Sequence, residues 1–213
     1  NSESKGQLLE VNFGRDMFLT VGWYGKILTS LDGISWKLRK TATQNNLWNI
    51  FYSNSLFISV GDKGTILTSS DGISWESINS GINKNLRNVI YGKGLYVVVG
   101  SSGTILTSTN GKLWATRNSG TLELLTGIEF ANGLFVIVGS KGTILTSSDG
   151  KIWTTRNSVI RNHLLNVTYG KENFVVVGDK GSILTSRDGI SWNKVSTPTS
   201  LPLIGLTYSK ISN

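Results

Sequence analysis

Three sets of residues in this chain are of types that do chemistry. Asp32, Asp71, Asp149 and Asp188 fall on one 39-residue spacing, with Asn110 at the remaining step. Arg39, Arg117 and Arg156 each follow a tryptophan by three residues. Outside both series stand Trp23, Tyr24, Trp48, Lys84, Arg87, Arg161 and the sole histidine, His163. The first set has the type for metal or acid chemistry and the second for anion binding. The third suits stacking on a sugar ring or anchoring a protein partner.

The first two sets weaken on inspection. A metal needs several convergent oxygens, and one Asp per repeat supplies none of that convergence. No metal, no cofactor and no catalytic residue is therefore expected. A glycosidase needs two carboxyls about 5–9.5 Å apart. Glu10 and Glu129 are the candidates on inner strands, and sequence offers no distance between them. With no cysteine, the chain has no disulfide, thiolate metal site or cysteine nucleophile.

The elements that would hold these residues come from a phrase repeated five times. It opens at Val21, Val60, Val99, Val138 and Val177 and closes at Trp36, Trp75, Trp114, Trp153 and Trp192. A fixed period of this size means one structural unit copied around or along an axis. The copy from Leu86 reads as four strands: Leu86–Tyr91, the apolar run Leu95–Val99, Thr104–Ser108 and Leu113–Arg117, with glycine turns between. Four short antiparallel strands per repeat make one blade of an all-β propeller. The whole chain, 1–213, is expected to be a single domain with repeats starting near 8, 47, 86, 125 and 164.

Within each repeat the turn Ser-x-Asp-Gly-x-x-Trp has a physical reading. The Asp or Asn oxygen accepts backbone N–H groups, glycine supplies a positive φ, and Trp anchors the fourth strand. Asp32, Asp71, Asn110, Asp149 and Asp188 are thus expected to be structural, as are the five Trp residues. The turn resembles the Asp-box, or BNR, repeat of sialidase-like propellers, though each copy is one residue shorter. The full phrase is similar to the WD40/YVTN/BNR-like repeats of bacterial secreted and surface proteins, and more distantly to photosystem II assembly-factor propellers. The resemblance covers residues 8–208. It implies a secreted or cell-surface location, and the expected function is a non-catalytic binding propeller for a glycan or protein, the alternatives being a protein-binding scaffold or assembly factor and, behind it, a glycoside hydrolase. A sialidase is not implied, because the Phe/Tyr-Arg-Ile-Pro motif is absent and the recurring arginines lie on outer strands.

The first-strand motif occurs six times, from Leu8, Leu47, Leu86, Leu125, Leu164 and Leu203, while the other strands occur five times. Three outcomes stay open for the extra strand, 203–208. It closes a five-bladed ring, it marks a chain cut from a longer protein, or it pairs with another molecule to give a homo-oligomer. A five-bladed ring is expected, with one terminal first strand displaced or packed on an edge.

Net charge is +8, but the cations are dispersed, so nucleic acid is not the expected partner. No apolar run is long enough to span a membrane. The start NSESKGQ lacks the features of a signal peptide.

Positions where one copy departs from the rest are free of the folding demand. Turns that read Asp62-Lys63-Gly64, Ser101-Ser102-Gly103, Ser140-Lys141-Gly142 and Asp179-Lys180-Gly181 become Trp23-Tyr24-Gly25 in the first copy. The second residue of the first strand runs Leu9, Trp48, Arg87, Thr126, Leu165. A meander puts these on one face with the interblade loops carrying Lys84, Arg161 and His163. Trp23, Tyr24, Trp48, Lys84, Arg87, Arg161 and His163 are therefore the candidate ligand site. Asn49, Asn88 and Asn166 are expected to bond neighbouring backbone.

Overall fold

The computed structural model describes residues 6–208, so both ends of the expected domain lie outside the described residues. Blade 1 comprises β1 (Leu8–Gly14), β2 (Met17–Gly22), β3 (Ile27–Ser30) and β4 (Lys37–Arg39). Blade 2 comprises β5 (Leu47–Ser53), β6 (Leu56–Gly61), β7 (Ile66–Ser69) and β8 (Glu76–Ile78). Blade 3 has β9 (Leu86–Gly92), β10 (Leu95–Gly100), β11 (Ile105–Ser108) and β12 (Ala115–Arg117). Blade 4 has β13 (Leu125–Ala131), β14 (Leu134–Gly139), β15 (Ile144–Ser147) and β16 (Thr154–Arg156). Blade 5 has β17 (Leu164–Gly170), β18 (Asn173–Gly178), β19 (Ile183–Ser186) and β20 (Asn193–Val195). Each blade is an antiparallel meander in chain order.

The apolar second strand of each blade is sandwiched, as its sequence demands. Alternate residues face opposite ways. Val97, Val99 and Ile105 meet Leu125, Ile128 and Phe135 of the following blade. Tyr96, Val98 and Leu106 meet Ile58, Val60 and Ile66 of the preceding one. We call these the downstream and upstream faces. Four such seams, one between each pair of blades, contain the core. The box Trp belongs to the upstream side of a seam. Trp192 is buried, Trp75, Trp114 and Trp153 are half-buried, and Trp36 is exposed.

That gradient marks an open end. First strands pack β1 on β5, β5 on β9, β9 on β13 and β13 on β17, but among the described residues β17 and β1 share no comparable packing. Leu8 is 47% and Val11 55% exposed, whereas their counterparts Leu47 and Ile50 are 0% and 1% exposed. The five expected blades and the extra first-strand motif are present, but among the described residues blades 1 and 5 do not close into the expected ring.

Residues 203–208 take the seat of a sixth first strand. Tyr208 covers Gly170 just as Tyr52 covers Gly14 and Phe130 covers Gly92. Yet the segment is not a strand, contrary to the expectation for 203–208. The reason is physical. A first strand draws its ladder bonds from the second strand of its own blade, and none follows here among the described residues. Leu203 N–H donates to Gly178 O at 3.1 Å instead.

The box turns are built as their residues dictate. In blade 2, the N–H groups of Ile73 and Ser74 both donate to Asp71 Oδ1 at 2.8 Å. Ser69 Oγ donates to the same oxygen, and Trp75 Nε1 donates to Gly72 O. Asn110 accepts from Lys112 and Leu113 N–H in the same way. Trp153 departs from the pattern, its buried Nε1 lacking a partner.

Two predictions follow from seams and turns. Ile50→Ala removes a buried seam side chain and should cost about 2–5 kcal/mol. Val11→Ala, at the same repeat position, should stay within about 0.5 kcal/mol. Urea unfolding monitored by far-UV circular dichroism distinguishes them, and equal losses would mean that blade 1 is covered.

The second concerns acid. Ser74 and then Ile73 N–H hold Asp71 down at about 2, and backbone donors do the same for Asp149 and Asp188. A depressed folded pKa gives stability that is full above the unfolded value of about 3.9 and lost as pH falls toward about 2. Asp149→Asn, copying Asn110, should fold at neutral pH and lose stability less steeply over that window. Melting curves across pH 2–5 check this, roughly the span over which carboxylates titrate, and an unchanged slope refutes it.

Candidate functional site

The loop face is assembled by backbone bonds from turn to loop. Each turn between second and third strands holds its middle residue at positive φ: Tyr24 at 60°, Lys63 at 53°, Lys141 at 53°. This points the middle N–H at the following interblade loop. Tyr24 N–H donates to Asn46 Oδ1 at 3.1 Å and Lys63 N–H to Asn85 Oδ1 at 3.0 Å. His163 Nδ1 fills the equivalent place for Lys141 N–H at 3.4 Å. The turns and interblade loops therefore share one face, as the meander requires. His163 acts there as a loop-positioning acceptor.

A second device sets the variable residue of each first strand. In β5 the register passes from Leu47 to Asn49, and in β9 from Leu86 to Asn88. Trp48 and Arg87 are the skipped residues. A bulge frees a side chain from the pleat and re-aims it. Trp48 and Arg87 turn toward each other across the blade 2–blade 3 boundary, with the guanidinium carbon 3.8 Å from the ring centroid.

Asp62 completes the arrangement. Trp48 Nε1 donates to its Oδ1 at 2.6 Å, and Asn46 Nδ2 donates to its Oδ2 at 3.0 Å. A continuous chain thus runs from Tyr24 through Asn46, Asp62 and Trp48 to Arg87, across three blades. Burial pulls the Arg87 guanidinium down from its ordinary value, and the Asp62 charge opposes that. Arg87 Nε is buried without a partner. At the other end Trp23 and Tyr24 meet edge to face, centroids 6.4 Å apart, and stand 38% and 54% exposed.

Of the candidate ligand residues, Trp23, Tyr24, Trp48 and Arg87 are thus brought into one strip. Trp48 is no open platform, since Arg87 occupies one ring face. Lys84 contributes its carbonyl to Gly64 N–H at 2.7 Å and leaves its side chain exposed. Arg161 and His163 lie on the loop from blade 4 to blade 5, away from the strip. Arg161 lines a shallow groove of about 440 Å³ with Lys141 and Arg156. Sequence reading missed Asn46 and Asp62. Asp62 has a counterpart in Asp179, so its type gave no signal.

The other sets are anchored apart from one another. Arg39, Arg117 and Arg156 donate Nε to Thr29, Thr107 and Thr146 of their own blades at 2.8–2.9 Å. Glu10 and Glu129 stand on blades 1 and 4, both with raised pKa through burial. Phe130 N–H donates to Glu129 Oε1 at 2.9 Å. Asn49 accepts from Val89 N–H of the next blade at 3.4 Å, while Asn166 accepts from its neighbour Val167 at 2.8 Å. No helix among the described residues is long and apolar enough to cross a membrane.

Four-stranded meanders stacked face to face, with a loop face built from turns and bulges, define a β-propeller protein. Comparison with solved structures agrees. YCF48 bound to a D1 peptide matches with a TM-score of 0.69 at 19% identity, over 88% of this chain and 66% of that one. YCF48 from Cyanidioschyzon merolae matches with a TM-score of 0.71 at 16% identity, over 92% of this chain and 74% of that one. An ancestral GH74 enzyme matches with a TM-score of 0.72 at 14% identity, over 89% of this chain and 31% of that one. At these identities the likeness is one of fold. The chain spans about two thirds of the peptide-bound YCF48 chain. No family model matches the chain, and no curated protein matches it in sequence.

The strip makes a quantitative prediction. The Trp48–Arg87 pair should show a coupling of about 0.5–2 kcal/mol in a double-mutant cycle with Trp48→Leu and Arg87→Met. Strictly additive unfolding free energies would show that the stacked geometry carries no energy.

Proposed function

We propose that the chain is a non-catalytic binding propeller that takes an extended segment of a protein partner along its loop face. The Tyr24–Asn46–Asp62–Trp48–Arg87 chain carries this reading. It fixes an aromatic and cationic strip across three blades, with rigid exposed rings at one end. Aromatic and arginine side chains held this way are the usual anchors of protein interfaces. Arg87 retains donors for a carbonyl or carboxylate of the partner. Support also comes from YCF48, whose propeller of the same fold has been seen with a D1 peptide. Fold alone does not choose a ligand.

A glycan is the second reading. The exposed pair Trp23 and Tyr24 favours it, since sugar rings stack on such faces. It would suit a module of a secreted or surface protein. Against it, the Trp48 ring is already stacked. Hydrolase chemistry has less support, because the recurring arginines are held on separate blades.

Peptide display and a glycan array, probed with the same protein, test the proposal. Peptide binding should be recovered, and Trp23→Ala or Arg87→Met should weaken it at least about tenfold, or 1.4 kcal/mol. Glycan binding lost in Trp23→Ala would transfer the site to the second reading. Undiminished peptide binding in both variants would remove the strip from function.

A further inference from the structure

The upstream face of blade 1 is built as a seam, and among the described residues nothing supplies its other half. Leu8, Val11 and Phe13 are 47%, 55% and 57% exposed, and Trp36 is 38% exposed. In blades 2 to 5 the counterparts of Leu8 and Val11 are at most 4% exposed. Box glycines agree. A Cβ at Gly72 would meet Met17 and Leu19 of the blade before, and one at Gly111 would meet Leu56 and Ile58. At Gly33 it would meet only Phe18 of its own blade. The cover these residues fit therefore recurs in the four seams of the molecule. It is the downstream face of a blade of this same repeat.

One downstream face in the chain is itself incompletely covered. Val175 and Ile183 of blade 5 are half-buried. Their counterparts Leu19, Ile58, Val97 and Val136, and Ile27, Ile66, Ile105 and Ile144, are all 0% exposed. Among the described residues, 201–208 alone lie against this face, without ladder pairing. That segment reads Leu203-x-x-Leu206-x-Tyr208, and β1 reads Leu8-x-x-Val11-x-Phe13. The two carry the same motif for the same seat.

We propose that a second copy of this chain docks head to tail, with the upstream face of its blade 1 seated on the downstream face of blade 5. Residues 203–208 yield the seat to β1 of the incoming copy. The exchange favours β1 because it arrives already paired to β2, bringing a whole blade face where 203–208 brings one segment. The interface is heterologous, so growth continues beyond two copies unless the ring geometry closes. The net charge of +8 opposes association, and added salt should promote it.

Sedimentation velocity of the full chain over a micromolar to high-micromolar series tests this. Mass should rise with concentration. Val11→Asp with Phe13→Asp, both at exposed positions, should hold the protein at monomer mass with an unchanged melting curve. Leu206→Asp with Tyr208→Asp should free the seat and shift association to about tenfold lower concentration. Monomer mass throughout, in both the parent chain and the Leu206/Tyr208 variant, overturns the proposal. So does a dimer that stops at two copies and ignores the Leu206/Tyr208 change, which would place two blade 1 faces against each other.

Discussion

Everything in this molecule depends on one contact, the packing of an upstream blade face on a downstream one. A four-stranded meander of this size has two apolar faces and too little thickness to bury either by itself. Its second strand is apolar on both sides for that reason. Stacking covers both faces at once, and the four seams hold the described core. Such arrays are stabilised by nearest-neighbour interfaces more than by the isolated repeat. The ends are therefore the weak places. Exposed Val11 against buried Ile50, in one motif, measures how much of a blade's burial is supplied by its neighbour.

Polar bonds at the two rims do different work. On the box side, Asp71 and its counterparts collect backbone N–H groups of their own turn, so the bonds are local. On the loop side the acceptors reach across blades: Asn46 receives Tyr24 N–H, and Asn85 receives Lys63 N–H. The loop rim is thus where neighbouring blades are registered, and where a side chain from one blade can touch the next. A ligand strip spanning several blades can form only there. Local turns on the box rim leave each Asp isolated, which is why five well-ordered carboxyl or amide groups add up to no common site.

Much of the fold was legible because the 39-residue period fixes it. Strand order and the apolar second strand follow from counting, whereas the surplus first-strand motif at 203–208 forms no strand. Trp23-Tyr24 was legible as well, because four small or charged counterparts made it an exception. Other features were not. The bulge at Trp48 and Arg87 depends on hydrogen-bond register, which alternation of residue types does not encode. Asp62 looks like Asp179 in sequence, yet only Asp62 has a bulged Trp beside it. His163, a candidate by type, stands where Asn46 and Asn85 stand, as an acceptor for a turn. Ring closure was hidden for a different reason. A repeat specifies which surfaces match, and the matching is satisfied as well by a further blade as by the first.

The bulge explains why the strip lies where it does. A residue in register on a first strand must pack into a seam or pair with its own second strand, so its type is constrained in every copy. The skipped residue is out of the ladder, though Thr126 Oγ1 still donates to Val138 O and Leu164 O. Leu9, Trp48, Arg87, Thr126 and Leu165 place four residue types, differing in size, charge and polarity, at a single structural position. The fold accepts all five because the bulge turns the side chain away from the pleat. Blades 2 and 3 bring two of the varied residues side by side. Trp48 and Arg87 stack because blades 2 and 3 are adjacent, with no other sequence relation between them. A repeat scaffold with one bulged position per blade thus offers a row of replaceable side chains on a rigid frame, which is the arrangement that recognition of an extended partner requires.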